Sequence, residues 1–427
     1  MIEPATLLHL DTRELPIEMA AALKAARDSG YDAILACSSK PKVEHFGLPS
    51  VIEAPLVNYA AAEAVILDYL HETGKRVAGV IAWTERAVEL AARLVAKLGL
   101  PGTRPEAAAN VRNKARTRRL LNRVAGANPK YAIVRNEQEF QDGLKTVSTP
   151  CLLKPAGSAG GRGQFRLYDC SNALQTYREF RAYNAGHSEK YPYYLDIAVM
   201  EEMLTGTEHS VSGVVVNRKV VVFAVCDKRV HGGISPPSEN ATPSCLAPAI
   251  RARLIEMARS AVGEMGIDCC GFHVDFMVGE DGPKILEVGG RFGGDCINSH
   301  LIPLSQPTLR PYRALLDVAQ GIDLFDKDDY SSDASSRAGL RVITPPATGT
   351  IVKLEGVEHV PLHLNTRVFT QTHGVGSRMR LAHEEEKAYE IGAVIAQCSL
   401  EEDIHGILDE IVGLVTVEVA NDAAAAK

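Results

Sequence analysis

The stretch from Cys270 to Gly294, CGFHVDFMVGEDGPKILEVGGRFGG, constrains this chain more than any other. Two runs of strand-forming residues, CGFHVDFMV and ILEVGG, flank a turn rich in Gly, Asp and Pro, the composition of a β-hairpin. With the turn centred near Asp281, Asp275 falls opposite Glu287. Side chains alternate along a strand, so His273, Asp275 and Met277 are expected to share a face with Ile285, Glu287 and Gly289. Like charges directly opposite on a ladder repel by roughly 0.2–1 kcal/mol unless something positive lies between them. A hard divalent cation suits such oxygen ligands, and magnesium is the one expected here. Arg291 follows in a Gly-rich segment where backbone can approach a ligand closely, the place for a guanidinium that stabilises an anion. Read alone, the stretch also suits an acidic surface hairpin that holds no ion.

The chain has 427 residues, too many for one ordinary core, which points to two to four domains. Its 46% hydrophobic and 23% charged residues fit a globular protein with sizeable cores. A net charge of -7 argues against nucleic acid as the main partner, while leaving room for a local basic pocket for phosphates. Nine cysteines, an odd number without a CxxC pair, indicate neither a disulfide framework nor a zinc site, and Cys269 and Cys270 are expected to be buried at a strand start. No apolar run is long enough to span a bilayer, and the N-terminus lacks a charged segment followed by a long apolar one. The expectation is a cytoplasmic protein with no membrane partner.

From Thr6 to about Gly102, strands (TLLHL, YDAILAC, VAGVIAWTE) alternate with helices (PIEMAAALKAARDSG, NYAAAEAVILDYLHETG, TERAVELAARLVAKLG). This alternation predicts a parallel sheet, which commonly binds ligands at the carboxyl ends of its strands. No GxGxxG follows the first strand, so the segment reads as a structural domain carrying part of a substrate pocket. Arg104 to Gly126 then reads as one basic helix, with Lys114, Arg116 and Arg119 within two turns and Leu120, Leu121 and Val124 on an apolar side. Such a helix is usually a solvated face.

In TPCLLKPAGSAGGRGQFRLYD, two strands flank a loop containing Gly157, Gly160, Gly161 and Gly163. Such a flap can close backbone N–H groups over phosphates, with Lys154 as a nearby point charge, although it is not a P-loop. A strand ending at VMEE, a turn at Thr205 and Gly206 and a strand HSVSGVVV follow. Met203 and Leu204 beside Glu201 and Glu202 could frame a flat base, and Glu208 could accept from ribose hydroxyls; an ordinary exposed hairpin fits as well. KVVVFAVCDKRV carries Lys228 toward HGGISPPSENATPS, a loop of functional length, and IRARLIEMARSAVGEMG is a helix ended by Gly266. After the hairpin, LSQPTLRPYRALLDVAQG reads as a helix, Asp326 to Ser336 as an acidic surface connection, and GLRVITPPATGTIVKLEGV through THGVGSRMRLAH as strands with turns. LEEDIHGILDEIVGLVTVEV reads as a helix and a terminal strand, and NDAAAAK as a frayed tail. This last part is either an α+β cap or a completion of the preceding sheet.

The order of these parts resembles the ATP-grasp superfamily and, within it, the carboxylate-amine ligases, including the L-amino acid ligases that make dipeptides. The resemblance covers most of the chain and implies a mixed fold, α/β and α+β. Its parts would be an N-terminal parallel-sheet (pre-ATP-grasp) domain at 1–105, an ATP-grasp lid lobe with a linker helix at 106–203, a catalytic lobe at 204–330, and a C-terminal α+β subdomain packed on that lobe at 331–427. By position, Lys114 and Lys154 would contact the phosphates or base of ATP. Ser158, Gly160 and Gly161 would belong to the phosphate flap; Glu201, Glu202, Met203 and Leu204 would line the adenine slot, and Glu208 would hold the ribose. Asp275 and Glu287 match the family's Mg2+ ligands, Arg291 its transition-state arginine, and Lys228 a third lysine near the γ-phosphate. Gly289 departs from the pattern, because many members have an Asn there that helps coordinate a second metal. The implied reaction activates a carboxylate as an acyl phosphate and joins it to an amine, both small molecules. A bicarbonate-using carboxylase of the same superfamily and a non-catalytic nucleotide-binding regulator are the alternatives, and a homodimer is implied by the family alone.

Overall fold

Short apolar runs separated by helical segments fold as a parallel α/β layer. Strands β1 (Thr6–Leu10), β2 (Asp32–Cys37), β3 (Val51–Glu53) and β4 (Val77–Ala82) lie in the order β3-β2-β1-β4, all parallel. Helices α1 (Pro16–Asp28), α2 (Tyr59–Thr73) and α3 (Val88–Leu98) cross over between strands or cover the sheet. Asn58 caps α2 through its side chain, and Gly74, at φ 64, ends it in the left-handed conformation that favours glycine. The chain is described here from a computed structural model over residues 5–13, 15–39, 50–230, 238–324, 333–381 and 390–420.

The basic run after this layer is two helices, not one. Helices α4 (Pro105–Arg112) and α5 (Lys114–Leu121) are separated by Asn113, whose backbone is extended at φ -109, ψ 102. Its side chain accepts from the N–H groups of Ala115 and Arg116, an N-cap in the middle of what the periodicity presents as a single helix.

Four strands then form a separate antiparallel sheet: β5 (Tyr131–Val134), β6 (Cys151–Pro155), β7 (Phe165–Leu167) and β8 (Ala198–Glu202), in the order β5-β8-β6-β7. Helices α6 (Glu137–Val147) and α7 (Ala173–Gly186) pack on it around Phe140, Leu153, Tyr177, Phe180 and Met200.

The largest sheet has eight strands among the described residues. β9 (Thr207–Val216), β10 (Lys219–Arg229) and β11 (Glu239–Thr242) precede helix α8 (Pro248–Met265), and β12 (Cys270–Gly279) and β13 (Gly282–Gly289) follow it. The single helix expected beyond the hairpin is divided into α9 (Ile302–Ser305) and α10 (Pro311–Val318). β14 (Arg337–Ile343), β15 (Gly349–Glu355), β16 (Thr366–Gln371), β17 (Arg378–Met379), β18 (Gly392–Cys398), α11 (Ile404–Gly413) and β19 (Thr416–Ala420) complete the chain. The large sheet runs β13-β12-β9-β10-β11-β14-β18-β16, so three late strands extend it by backbone pairing, while β17-β15-β19 form a small sheet of their own. Part of HGGISPPSENATPS, most of the acidic connection and the C-terminal tail lie outside the described residues.

Strand β9 shows how the sequence sets the site. Val214 and Val216 point into a core shared with Leu7, Met19 and Leu23 of the parallel layer. Further along the same face come Ser212, Ser210 and Glu208, where apolar packing gives way to a polar floor. The other face carries Val211 and Val215 into a second core with Met257, Phe272, Val274, Phe276, Ile285 and Val288.

Candidate active site

Asp275 pairs directly with Glu287 across β12 and β13, and His273 with Gly289. Between Asp275 and Phe276 the register shifts, so that Phe276 pairs with Ile285 and Leu286 is the extra residue. Ile285 is therefore not on the acidic face, as strict alternation predicts; it is fully buried among Phe276 and Val288. Asp275 also pairs with Ser210, Met277 with Glu208, and Glu208 with Lys228. Asp275, Glu287, Glu208 and Lys228 thus lie on one face of four neighbouring strands.

Lys228 Nζ is 3.1 Å from Asp275 Oδ2, while Asp275 Oδ1 is buried without a hydrogen-bond partner. Burial by itself would raise the Glu287 carboxyl, but the positive fields of Lys114, His273, Arg291 and Arg112 outweigh it and hold the group at about 2. Burial would lower Lys228, yet Asp275, Glu208 and Asp295 push it up. Glu208 is raised by burial and by Asp275, against the pull of Lys228. A buried carboxylate oxygen without a partner, directly across the ladder from an ionised carboxylate, fits a hard cation. The chemistry of these residues therefore fits magnesium, which Asp275 and Glu287 would hold.

The helix break organises the root of the glycine flap. Lys114 donates its backbone N–H to Ala156 O at 2.9 Å and its Nζ to Ser158 O, and Arg112 Nη2 donates to Gly157 O at 2.7 Å. Three successive carbonyls at the root of the glycine flap are thus held by the residues on either side of Asn113. Burial lowers Lys114, with Glu287 opposing. Gly160, Gly161 and Gly163 all have positive φ, between 64 and 74, which side-chain-bearing residues rarely adopt. Lys154, on β6, reaches Glu201 Oε2 at 2.7 Å. Glu201 is also gripped by Arg118 through Nε at 2.7 Å and Nη2 at 2.9 Å. Burial would raise Glu201, but Arg118 and Lys154 bring it down to about 2. Glu202 accepts from Lys130 N at 2.7 Å, Met203 donates its N–H to Pro150 O at 3.1 Å, and Met203 and Leu204 are half-buried at the end of β8. The carboxylates of Glu201 and Glu202 are thus occupied by protein partners, leaving Met203 and Leu204 as the apolar part of this edge. Ser158 is buried, with its hydroxyl on Pro155 O at 3.3 Å.

Sequence reasoning missed Glu85, Arg112, Arg13 and Arg118. Glu85 lies just beyond β4, and its Oε1 is 3.0 Å from Arg291 Nε while its Oε2 is 3.5 Å from Arg112 Nη1. The position was signalled: a carboxylate beyond the carboxyl end of a parallel strand is where such sheets bind ligands. Arg13 donates to Trp83 O at 2.9 Å, to Phe292 O at 3.2 Å and to Gly293 O, so the parallel layer holds the segment after Arg291 as well. Gly289 has a local reason too. A Cβ there would lie 2.0 Å from His273 Cε1 and 2.9 Å from Glu85 Oε1, so the imidazole and Glu85 fill the space a larger residue would use. His273 Nδ1 in turn lies 3.1 Å from the Arg291 carbonyl.

Residues 111–295, which hold every one of these groups except Glu85 and Arg13, match the ATP-grasp domain family. That matched stretch, less than half of the chain, resembles an ATP-grasp domain. Beyond that stretch, the whole fold resembles the crystal structure of an L-amino acid ligase from Bacillus licheniformis, with a TM-score of 0.82, 18% identity, and coverage of 99% of this chain and 100% of that one. In sequence, the chain is 25% identical over 217 residues to the alanine–anticapsin ligase of Bacillus subtilis (strain 168), covering 48% of this chain and 46% of the ligase. It is 28% identical over 244 residues to carnosine synthase 1 of Gallus gallus, covering 54% of this chain and 26% of the synthase. The matches span less than half the length of these curated relatives. Among the described residues no helix is long and apolar enough to cross a membrane.

Proposed function

We propose that this protein is an ATP-dependent ligase that activates the carboxylate of one amino acid and joins it to the amine of a second, releasing ADP and phosphate. The observation that carries the reading is the facing pair Asp275 and Glu287, with Arg291 beside it and Asp275 Oδ1 left without a partner. The names of the relatives, each a ligase or synthase, support it. Magnesium, held by Asp275 and Glu287, would supply charge neutralisation for the transferring phosphoryl group. Lys114, Lys154 and the flap would bind and orient the phosphates of ATP, Met203 and Leu204 would pack on the base, and Glu208 would accept from the ribose. Ser158, Gly160 and Gly161 are the flap residues in this assignment, and their N–H groups would close over the phosphates and keep water from the acyl phosphate. Lys228 stands beside Asp275, where its charge would steady the γ-phosphate. Arg291 would stabilise the oxyanion that forms when the amine attacks the acyl carbon. A homodimer is an expectation of the resemblance, and a cytoplasmic setting one of the sequence composition.

The test is release of ADP and phosphate from MgATP across pairwise pools of amino acids, with bicarbonate and simple carboxylic acids in separate wells. Turnover that requires two amino acids, with a product whose mass is their sum less water, is the expected result. Turnover confined to bicarbonate moves the reading to a carboxylase, and binding of ATP without turnover in any well moves it to a regulator.

A further inference from the structure

Four parts of the chain meet at one buried guanidinium. Arg112, the last residue of α4, is 4% exposed. Its Nη2 donates to the flap carbonyl of Gly157 at 2.7 Å, and its Nη1 is 3.5 Å from Glu85 Oε2. The other oxygen of Glu85 is 3.0 Å from Arg291 Nε. The same guanidinium lies 5.8 Å from the ring of Tyr191, and Arg162, inside the flap, lies 5.3 Å from that ring and donates to the Tyr191 hydroxyl at 2.6 Å. Gly157 is wedged in place, because a Cβ there would sit 2.3 Å from the Tyr193 carbonyl oxygen. Tyr193 is itself fixed to the parallel layer: its ring stacks on Tyr59 at 4.2 Å, and its hydroxyl accepts from Tyr59 N at 3.1 Å. Tyr194 follows the same path, donating its hydroxyl to Glu89 on α3 at 2.5 Å.

The path from flap to reaction centre is therefore continuous: Arg162, Tyr191, Arg112, Glu85, Arg291. Each link is buried or half-buried, and each is an ion pair, a hydrogen bond or a cation-ring contact. A flap that lifts must give up the bond between Arg112 and Gly157 and the packing on Tyr191. Arg112 is then left with Glu85 and the face of the Tyr191 ring, and Glu85 is also paired with Arg291. We infer that Arg112 is a positioning residue that couples closure of the glycine flap, through Glu85, to the orientation of Arg291. This inference rests on the ligase reading for its kinetic consequence and on the geometry alone for its mechanical one. Arg291 is poised for the tetrahedral oxyanion only while the flap is seated, so the acyl phosphate meets the amine in a closed site and is not lost to water.

The test uses the full chain with Arg112→Lys, which keeps a positive charge but cannot reach both Gly157 and Glu85, and with Tyr191→Phe, which removes only the hydroxyl bonded to Arg162. The first readout is tryptic cleavage after Arg162 with and without MgAMP-PNP, which needs no turnover. In the wild type the nucleotide is expected to protect this bond; in Arg112→Lys protection is expected to be lost while the nucleotide still binds. The second readout is phosphate released per product formed. The wild-type ratio is expected to be one, whereas Arg112→Lys should lose about 100-fold in kcat, the size of effect that an ångström-scale misplacement produces, and release phosphate in excess of product. Tyr191→Phe should shift both readouts in the same direction by a smaller factor. Full protection in Arg112→Lys together with a ratio of one overturns the inference. A wild type that never couples two amino acids overturns the ligase reading instead, and the protection experiment still decides the mechanical claim.

Discussion

Glu287 is surrounded by the positive fields of Lys114, His273, Arg291 and Arg112, and no hydrogen bond or ion pair closes on its carboxylate among the described residues. Replacing it with Ala removes the proposed magnesium ligand and no packing contact of the core, so Glu287→Ala is expected to abolish MgATP turnover while thermal unfolding stays close to wild type. Retained turnover would sink the metal assignment. Glu201 is the opposite case. It neutralises Arg118, which is 2% exposed, and Lys154, so Glu201→Gln leaves two buried cations without a counter-charge. Breaking a buried pair in this way costs roughly 3–5 kcal/mol, and urea unfolding should register it. The facing of Asp275 and Glu287 was legible in the sequence because a two-residue period and a turn rich in Gly, Asp and Pro fix which residues oppose one another. The position of Ile285 was not, because the bulge at Leu286 depends on a partner distant in the chain: Arg118 donates to the carbonyls of Ile285 at 2.8 Å and of Leu286 at 3.0 Å. Glu85 and Arg112 went unread for the same reason, since each acquires meaning only from residues on other elements.

Helix α11 is held to the large sheet by charge as well as by Ile404, Leu408 and Ile411. His405 reaches Glu239 through Nδ1 and lies 3.5 Å from Asp227 Oδ2 through Nε2, on the face of β10 opposite Lys228. Asp227 also accepts from His209, Ser244 and the N–H of Cys245, and Glu239 is 2.6 Å from Arg341 and 4.0 Å from Arg229. Burial would lower the imidazole, but the bonds to Asp227 and Glu239 raise it to about 9. The folded pKa exceeds the unfolded value near 6.5, so this contribution is complete below pH 6.5 and fades as pH rises through 9. His405→Gln should therefore be less stable than wild type by about 3 kcal/mol at pH 6. The gap should narrow in urea melts run up to pH 10, and a gap independent of pH would remove the imidazolium from the account. The sequence announced α11 through its apolar spacing, because a helix that buries one face writes that face into its period. It did not announce the break at Asn113. An Asn cap leaves the apolar spacing of Leu120, Leu121 and Val124 undisturbed, and only the contact with the flap root gives the break a purpose.

At the scale of the molecule, the sharing of cores decides which parts move together. Leu7, Leu35 and Ile81 of the parallel layer sit in one core with Phe223, Phe292, Leu340 and Ile395, so this layer and the large sheet bury a common interior. The sheet β5-β8-β6-β7 has an interior of its own and meets the rest through Arg118 with Glu201, the flap root, and Tyr193 and Tyr194, which bond to Tyr59 of α2 and Glu89 of α3. Cores that are not shared unfold at separate free energies, whereas a shared one ties its contributors into a single cooperative unit. The single tryptophan reports on the shared unit. Trp83 is 2% exposed, packs edge-on to Tyr312 of α10 at 5.3 Å and lies under Arg13 at 5.9 Å. In rising urea, backbone amides between residues 131 and 202 should become exchangeable while Trp83 emission is still native-like. Amides of β1, β9 and β14 should exchange only with the Trp83 transition. MgAMP-PNP, which bridges the separate sheet to the large one in the ligase reading, should draw the two transitions together. Early loss of Trp83 emission, ahead of the amides in β9, would mean that the parallel layer unfolds alone, and with it the claim that Glu85 and Arg13 are rigid supports for Arg291 would fall.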